Sequence, residues 1–325
     1  MIMAFIDQMK AEGRAVESTC AVLSSLGVPV AARTYRAWKA ARSVSPRMLE
    51  LAYLMNAIHT LVFLLDPVAG KNRLRPEGLY GRRKMTAALG RAGHQVSFGR
   101  VHTAMAMLGH HGVVRSRKIR TTVPGKDGHR ASDLLNRDCT APAPNMVWIT
   151  DFTYVRTWEG FCYVAFIVDV YAQRIVAWHA QRTKTTDLVM TPLKMALWER
   201  GRQAHPPTPG ELIHHSDAGS QYTSVRLTEH LALQDLRPSI GTVGDAYDNA
   251  LMESIIGLYK TECIRTTVFG PGERDYKTLL DVELATAAWV TWYNNDRLHS
   301  SIGMIPPVEH ENAHYTALNR EQNPV

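Results

Sequence analysis

Apolar positions follow two different rhythms along the chain, and the change between them divides it. Residues 4–26 are mostly helix formers and stop at Gly27 and Pro29. Arg33 to Ala41 forms a second short run carrying Tyr35 and Trp38. From Arg47 to Leu65, Leu51, Leu54, Met55, Ile58 and Val62 recur at helical spacing until Asp66-Pro67 ends the run. Arg82 to Arg91 predicts a short helix with Met85, Ala88 and Leu89 inward. Gly93 suits a left-handed helix stop, and Ser97 can cap a following helix that turns Val101, Met105 and Leu108 inward. Two short helices around a glycine turn predict a helix-turn-helix. Ser97, Arg100 and Thr103 would then face a major groove or phosphates.

Beyond a Thr/Pro/Gly/Ala-rich stretch at 121–145 the period becomes that of strands. Val147 to Val155, Phe161 to Val168 and Arg174 to His179, with a turn at Trp158-Glu159-Gly160, predict a three-stranded meander. Helices are expected at 186–200, 223–233, 248–264 and 281–294, with short strands at 211–215 and 236–240. The order β-β-β-α-β-α-β-α-α indicates an α/β sheet of mixed direction. The expected divisions are an N-terminal helical region, 1–70; a helix-turn-helix-like region with a basic arm, 71–125; a linker, 126–144; the α/β region, 145–312; and a C-terminal tail, 313–325.

Composition changes this picture through charge. The chain has 325 residues, 45% of them hydrophobic, and a net charge of +7. Residues 71–130 hold 14 basic and 2 acidic residues, whereas 131–325 hold 16 basic and 23 acidic. A dense basic block ahead of a mildly acidic region suits a polyanionic partner. Arg82, Arg83 and Lys84 on the first helix, and Arg115, Arg117, Lys118 and Arg120 after the second, are the candidate contacts. Cys20, Cys139, Cys162 and Cys263 are too scattered for a zinc site or a disulfide framework. No apolar run reaches the ~18 residues of a membrane span, and the N-terminus lacks a signal-peptide layout. A cytoplasmic protein without a membrane partner is expected.

Phosphodiester chemistry needs divalent ions to activate a nucleophile and stabilise a leaving oxygen, and hard ions take carboxylates. Asp151 lies within the first apolar strand, where a lone carboxylate is costly unless paired or metal-bound. Asp217 closes the strand His214-His215-Ser216. Glu253 lies in the 248–264 helix, with 35 residues between it and Asp217. On that helix Asn249, Glu253, Gly257 and Lys260 share a face that suits a metal and a DNA phosphate together. Leu251, Ile255, Leu258 and Tyr259 are expected to face the core. His214 and His215 point to opposite faces of a strand and are expected to be structural or close to DNA. Asp169 is expected to form a turn, Asp245 to order a loop, and Trp289, Trp292 and Tyr293 to pack a core. Asn294, Arg297 and His299 suit either packing or DNA contact.

The Trp148–Val155 stretch, His215-Ser216-Asp217 with Gly219-Ser220-Gln221-Tyr222, Gly244 to Glu253, and Trp292-Tyr293-Asn294 with Arg297-Leu298-His299-Ser300 together carry a resemblance. The chain resembles the OrfB product of the insertion-sequence-three family of DDE transposases, within the retroviral-integrase superfamily. The match spans about residues 71–312, and the 1–70 region more loosely. The resemblance implies an RNase H-like catalytic domain at 145–312, with Asp151, Asp217 and Glu253 as catalytic metal ligands. It implies Mg²⁺ or Mn²⁺, two ions, as cofactor, and Lys260 and Asn249 as DNA contacts beside the triad. It further implies double-stranded DNA as partner, both terminal inverted repeats and target, a homodimer or higher assembly on it, and an OrfA partner or fusion. A bacterial protein of the cytoplasm, associated with the nucleoid when bound to DNA, follows. One departure stands out: the family commonly has arginine right after the second aspartate, where this chain has Ala218. Two rivals are a DNA-binding regulator, which would show no metal-dependent product, and a metal-dependent nuclease without strand transfer.

Overall fold

The computed structural model describes residues 2–41, 45–66, 70–114, 134, 140–217, 219, 221–241 and 250–322. The backbone separates into two units, Met1–Asn56 and Ala57–Val325.

In the first unit, α1 (Ile2–Ala11), α2 (Val16–Ser25) and α3 (Ala32–Ala41) enclose a small core of Ile6, Cys20, Val30 and Tyr35. The single helical run expected over 4–26 is two helices, because Gly13 sits at φ +84°, in the left-handed region, and reverses the chain. The Tyr35 hydroxyl donates to Asp7 Oδ1 at 2.5 Å, tying α3 to α1. The fourth helix, α4 (Pro46–Val62), runs on into the second unit.

There the expected helical run 47–65 ends early. Phe63–Asp66 is a strand, β1, paired antiparallel with β2 (Lys71–Leu74). Asp66 precedes Pro67, which favours extended backbone at the residue before it, and Phe63–Asp66 pairs with Lys71–Leu74 instead of continuing the helix. The two expected short helices follow as α5 (Arg82–Arg91) and α6 (Phe98–Met107). Gly93 has φ +89°, Ser97 caps α6 by accepting from the Arg100 N–H, and Met85, Leu89, Val101 and Met105 are buried between them.

The central sheet has the order β5-β4-β3-β6-β7. Strands β3 (Val147–Thr157), β4 (Gly160–Asp169) and β5 (Arg174–Gln181) form the antiparallel meander. After α7 (Asp187–Arg202), β6 (Ile213–Ser216) pairs parallel with β3; after α8 (Val225–Leu233), β7 (Arg237–Ile240) pairs parallel with β6. This mixed five-stranded arrangement is RNase H-like. One sheet face packs Trp148, Ile167 and Ala177 under α7 and α8 through Val189, Leu193, Leu227 and Leu231. The other receives α9 (Ala250–Leu258) and α10 (Leu279–Asn295), where Phe166 meets Tyr259 and Trp289 edge-on.

Two elements differ from expectation. The 248–264 helix is α-helical only to Leu258, and Tyr259–Ile264 winds as a wider π-turn. Of its expected core stripe, Ile255 and Tyr259 are buried and Leu251 and Leu258 half-buried, with Met252 buried in addition. Residues 313–322 are no tail: they belong to a last helix, α11 (Pro307–Gln322). Its anchor is polar, which hides it from an apolar pattern. Glu311, 1% exposed, pairs with Arg200 and with Arg174 at 3.1 Å, and Arg200 also reaches Asp169 at 3.3 Å.

Candidate active site

The site grows out of strand register. Thr150 stands beside Ser216 across the parallel β3–β6 pair. β3 continues to Asp151 and the chain leaves β6 at Asp217, so the two carboxylates directly follow the paired Thr150–Ser216 step of adjacent strands. Strand β6 stops at Ser216, which leaves the β6-side edge of β3 unpaired from Asp151 onward. Glu253, half-buried on the first turn of α9, reaches the same end of the sheet from the face opposite α7.

Electrostatics bring the group together. The Asp151 carboxyl is pushed up to about 8, first by burial, then by Asp217, with Glu253 adding to it; the Phe152 N–H and Lys260 oppose the rise. Asp217 is also raised by burial, against the Gly219 N–H and His215. Lys260 is lowered by burial and by Arg265, while Asp151 holds its proton on. Such mutual sensing requires neighbouring carboxylates whose charges lack full compensation.

Backbone donors fix the two aspartates. The Phe152 N–H donates to Asp151 Oδ1 at 2.7 Å and the Gly219 N–H to Asp217 Oδ1 at 3.0 Å. A Cβ on Gly219 would lie 2.9 Å from that same Asp217 oxygen, so a side chain there would push the carboxylate off its amide donor. Tyr222 walls the site: it is buried, its hydroxyl lies 3.3 Å from Thr150 Oγ1, and burial with Asp151 and Asp217 raises it well above the usual phenol range. The sequence offered Tyr222 only as part of a motif; its role depends on the chain folding back onto Thr150.

Among the described residues, no three His, Cys, Asp or Glu side chains form a closed set able to hold an ion as they stand. The donor set nevertheless suits a hard divalent cation: oxygen ligands only, with Asp217 and Glu253 near enough to add to the rise that burial gives Asp151. Asp151, Asp217 and Glu253 are the residues that would hold it.

The remaining candidates separate. Arg82, Arg83, Ser97, Arg100 and Thr103 are exposed on α5 and α6, with the Arg82 guanidinium 5.0 Å from the Phe98 ring centre. Lys84 departs from its expected role on that open face. It is half-buried, 5.6 Å from the Tyr80 ring, and burial with the nearby Arg297 pushes it down to about 7. Arg115, Arg117, Lys118, Arg120, Ala218, Asp245, Asp248 and Asn249 lie outside the described residues.

The motif at 292–300 packs the protein. Asn294 accepts from the Ile175 N–H at 3.0 Å and donates to its carbonyl at 2.8 Å, pairing with the β5 backbone. Arg297 grips Glu262 with two hydrogen bonds of 2.8 and 2.6 Å, both side chains buried. Trp289, Trp292 and Tyr293 are core residues. His215 Nδ1 meets Ser239 Oγ at 2.8 Å, and burial lowers His214 to about 4. Asp169 does form its turn, accepting from the Tyr171 N–H at 3.0 Å, and also buries its charge against Arg200.

Two models described as integrase core domain match residues 141–246 and 234–307. A Mycobacterium tuberculosis (strain CDC 1551 / Oshkosh) protein, named for the transposase of insertion sequence element IS986/IS6110, is 44% identical over 243 residues, 75% of this chain and 85% of that one. The transposase for insertion sequence element IS629 of Shigella sonnei is 43% identical, with 75% and 77% covered. Transposase InsF for insertion sequence IS3A of Escherichia coli (strain K12) is 32% identical, with 73% and 78% covered. Among solved structures, a simian T-cell lymphotropic virus intasome in complex with PP2A regulatory subunit B56 gamma is similar at TM-score 0.43 and 14% identity over 71% of this chain and 70% of that one. The HTLV-2 integrase catalytic core domain in complex with magnesium is similar at TM-score 0.36 and 13% identity over 53% and 98%.

Proposed function

We propose, for a chain that belongs to the insertion-sequence-three family of DDE transposases and acts in DNA transposition through an integrase-like core, a metal-dependent reaction in two steps. In the first, water cleaves a phosphodiester at the end of the element and leaves a 3′-hydroxyl. In the second, that hydroxyl attacks a phosphodiester of target DNA, so one ester bond forms as another breaks. The observation that supports this reading is the Asp151 carboxyl, lifted to about 8 by burial first and then by Asp217, with Glu253 adding to it.

Asp151, Asp217 and Glu253 hold Mg²⁺ or Mn²⁺, two ions in the full complex. The bound ions supply nucleophile activation and charge neutralisation at the scissile phosphate. The Gly219 and Phe152 amides keep two of the carboxylates aimed. Lys260 stands beside Asp151 and meets the DNA phosphate next to the cleaved bond, and Asn249 orients the same strand. The α5–α6 pair, through Arg82, Arg83, Ser97, Arg100 and Thr103, and the basic arm from Arg115 to Arg120, bind double-stranded DNA at the terminal inverted repeats. Two ends must be joined, so the working form is a dimer or larger assembly, with OrfA as partner or fusion, acting on the bacterial nucleoid. No helix among the described residues is long and apolar enough to cross a membrane.

The test is cleavage and joining of labelled oligonucleotides bearing candidate terminal repeats, with Mg²⁺, with Mn²⁺ and with EDTA. Both products should need the metal. Salt-sensitive binding without any metal-dependent product would favour a regulator, and cleavage without joining a nuclease.

A further inference from the structure

Helices α7 and α8 cover one face of the sheet unevenly. They pack over Trp148, Ile167 and Ala177 and leave the far end of β3 and β4 open. Strand alternation places Tyr154 and Arg156 on that same face, and register sets Tyr163 opposite Tyr154 and Phe161 opposite Arg156. Tyr154 is 50% exposed, Phe161 is 53% exposed and Arg156 is exposed; inward neighbours Val155 and Cys162 are buried. The Tyr154 and Phe161 rings meet edge to face at 5.4 Å. Cations flank the aromatics: Lys260 Nζ lies 4.5 Å from the Tyr154 ring centre and Lys184 Nζ 5.1 Å from that of Tyr163.

Asp151 leaves the opposite face of β3 from Tyr154, and Lys260 is the residue that joins the two. Lys260 senses both the Tyr154 ring and the Asp151 charge. Gln221, four residues after Asp217, donates to the Lys184 carbonyl at 3.0 Å, and Phe152 packs on Tyr222 at 6.1 Å. Aromatic rings interleaved with cations on an open sheet suit unpaired bases, which stack on the rings while phosphates meet the charges. A protein partner would find the same rings ringed by lysine and arginine, which protein interfaces disfavour at their centres in the case of lysine.

We propose that Tyr154, Phe161 and Tyr163, with Arg156, Lys184 and Lys260, form a stacking platform for unpaired bases of the DNA strand next to the scissile phosphate. The proposal rests on the reading of the triad as the cleavage site, and its test needs no cleavage. Full-length protein in EDTA is titrated against a fluorescein-labelled duplex carrying a five-nucleotide 3′ oligothymidine overhang, and against the blunt duplex of the same sequence. Wild type should prefer the overhang, and Tyr154→Ala and Phe161→Ala should each weaken overhang binding about tenfold. Blunt-duplex binding should stay unchanged, which also reports an intact fold, and Tyr154→Phe should restore the overhang preference. Variants that bind both probes like wild type, or lose both equally, overturn the platform. So does a loss of self-association in light scattering with no change on either probe, which would make this end a contact between copies of the chain. Glu253→Gln, run alongside, should keep the overhang preference while losing cleavage. If it cleaved normally, the catalytic reading would fall and the platform would stand or fall by its own arm.

Discussion

Replacing Asp151 with asparagine removes a carboxyl that the folded protein holds above its ordinary range, from 3.8 to about 8. A carboxyl so raised binds its proton more tightly folded than unfolded. Its contribution to stability is fully present below pH 4 and is lost as pH rises through 8. At about 1.36 kcal/mol for each pH unit between the two values, the ceiling is about 6 kcal/mol. Asp151 is half-buried, and solvent screening brings the expected cost of ionisation to about 2–3 kcal/mol. In EDTA at pH 8.5, Asp151→Asn should therefore melt higher than wild type by about 5–10 °C, with the gap closing towards pH 4–5. Added Mg²⁺ should close most or all of that gap, because only wild type gains the binding term, about 2.7 kcal/mol at a hundredfold excess over Kd. Thermal melts across pH 4–9, with and without metal, read this directly. Parallel pH profiles for the two proteins in EDTA would refute this, since they would mean that burial and the neighbouring carboxylates do not hold the proton on Asp151.

Arg297→Ala should destabilise the fold by about 3–5 kcal/mol in urea unfolding, because it leaves Glu262 buried and unpaired; Glu262→Gln should cost less. Gly219→Ala should keep the fold, within 1 °C or so of wild type, yet reduce metal-dependent cleavage, because the new Cβ meets the Asp217 carboxylate. Neutralising Arg115, Arg117, Lys118 and Arg120 together should weaken DNA binding on all sequences and flatten the salt dependence of Kd; an unchanged slope would remove the basic arm from the interface.

Much of this architecture is local and was legible for that reason. The three-stranded meander announces itself by β-type runs around Trp158-Glu159-Gly160, and the α5–α6 pair by Gly93, Ser97 and inward apolar spacing. Asp151 stood out as a carboxylate within an apolar strand and Asp217 as one closing another. What stayed hidden depends on partners far along the chain. Lys84 reads as one more basic residue until Tyr80 and Arg297 enclose it. Glu311 reads as a surface acid on a polar helix until Arg200 and Arg174, more than a hundred residues earlier, bury it. The π-turn at Tyr259–Ile264 has no period of its own; it lets Tyr259, Glu262 and Cys263 all bury while Lys260 reaches Tyr154. Phe63–Asp66 continued a helical pattern and became a strand because Lys71–Leu74 pairs with it.

If three carboxylates from β3, the segment just after β6 and α9 act as one metal-holding unit in strand cleavage and joining, removing one charge should all but stop strand transfer. The most direct measurement is the rate of strand transfer from a pre-cleaved repeat end, with Mg²⁺, for wild type against Glu253→Gln. The substitution keeps size and shape, replaces one acceptor oxygen with an amide donor and removes one charge. Glu253→Gln should lose about a hundred- to a thousandfold, the scale of removing a group that stabilises transition-state charge, with DNA binding in EDTA unchanged. Strand transfer at the wild-type rate by Glu253→Gln would contradict it.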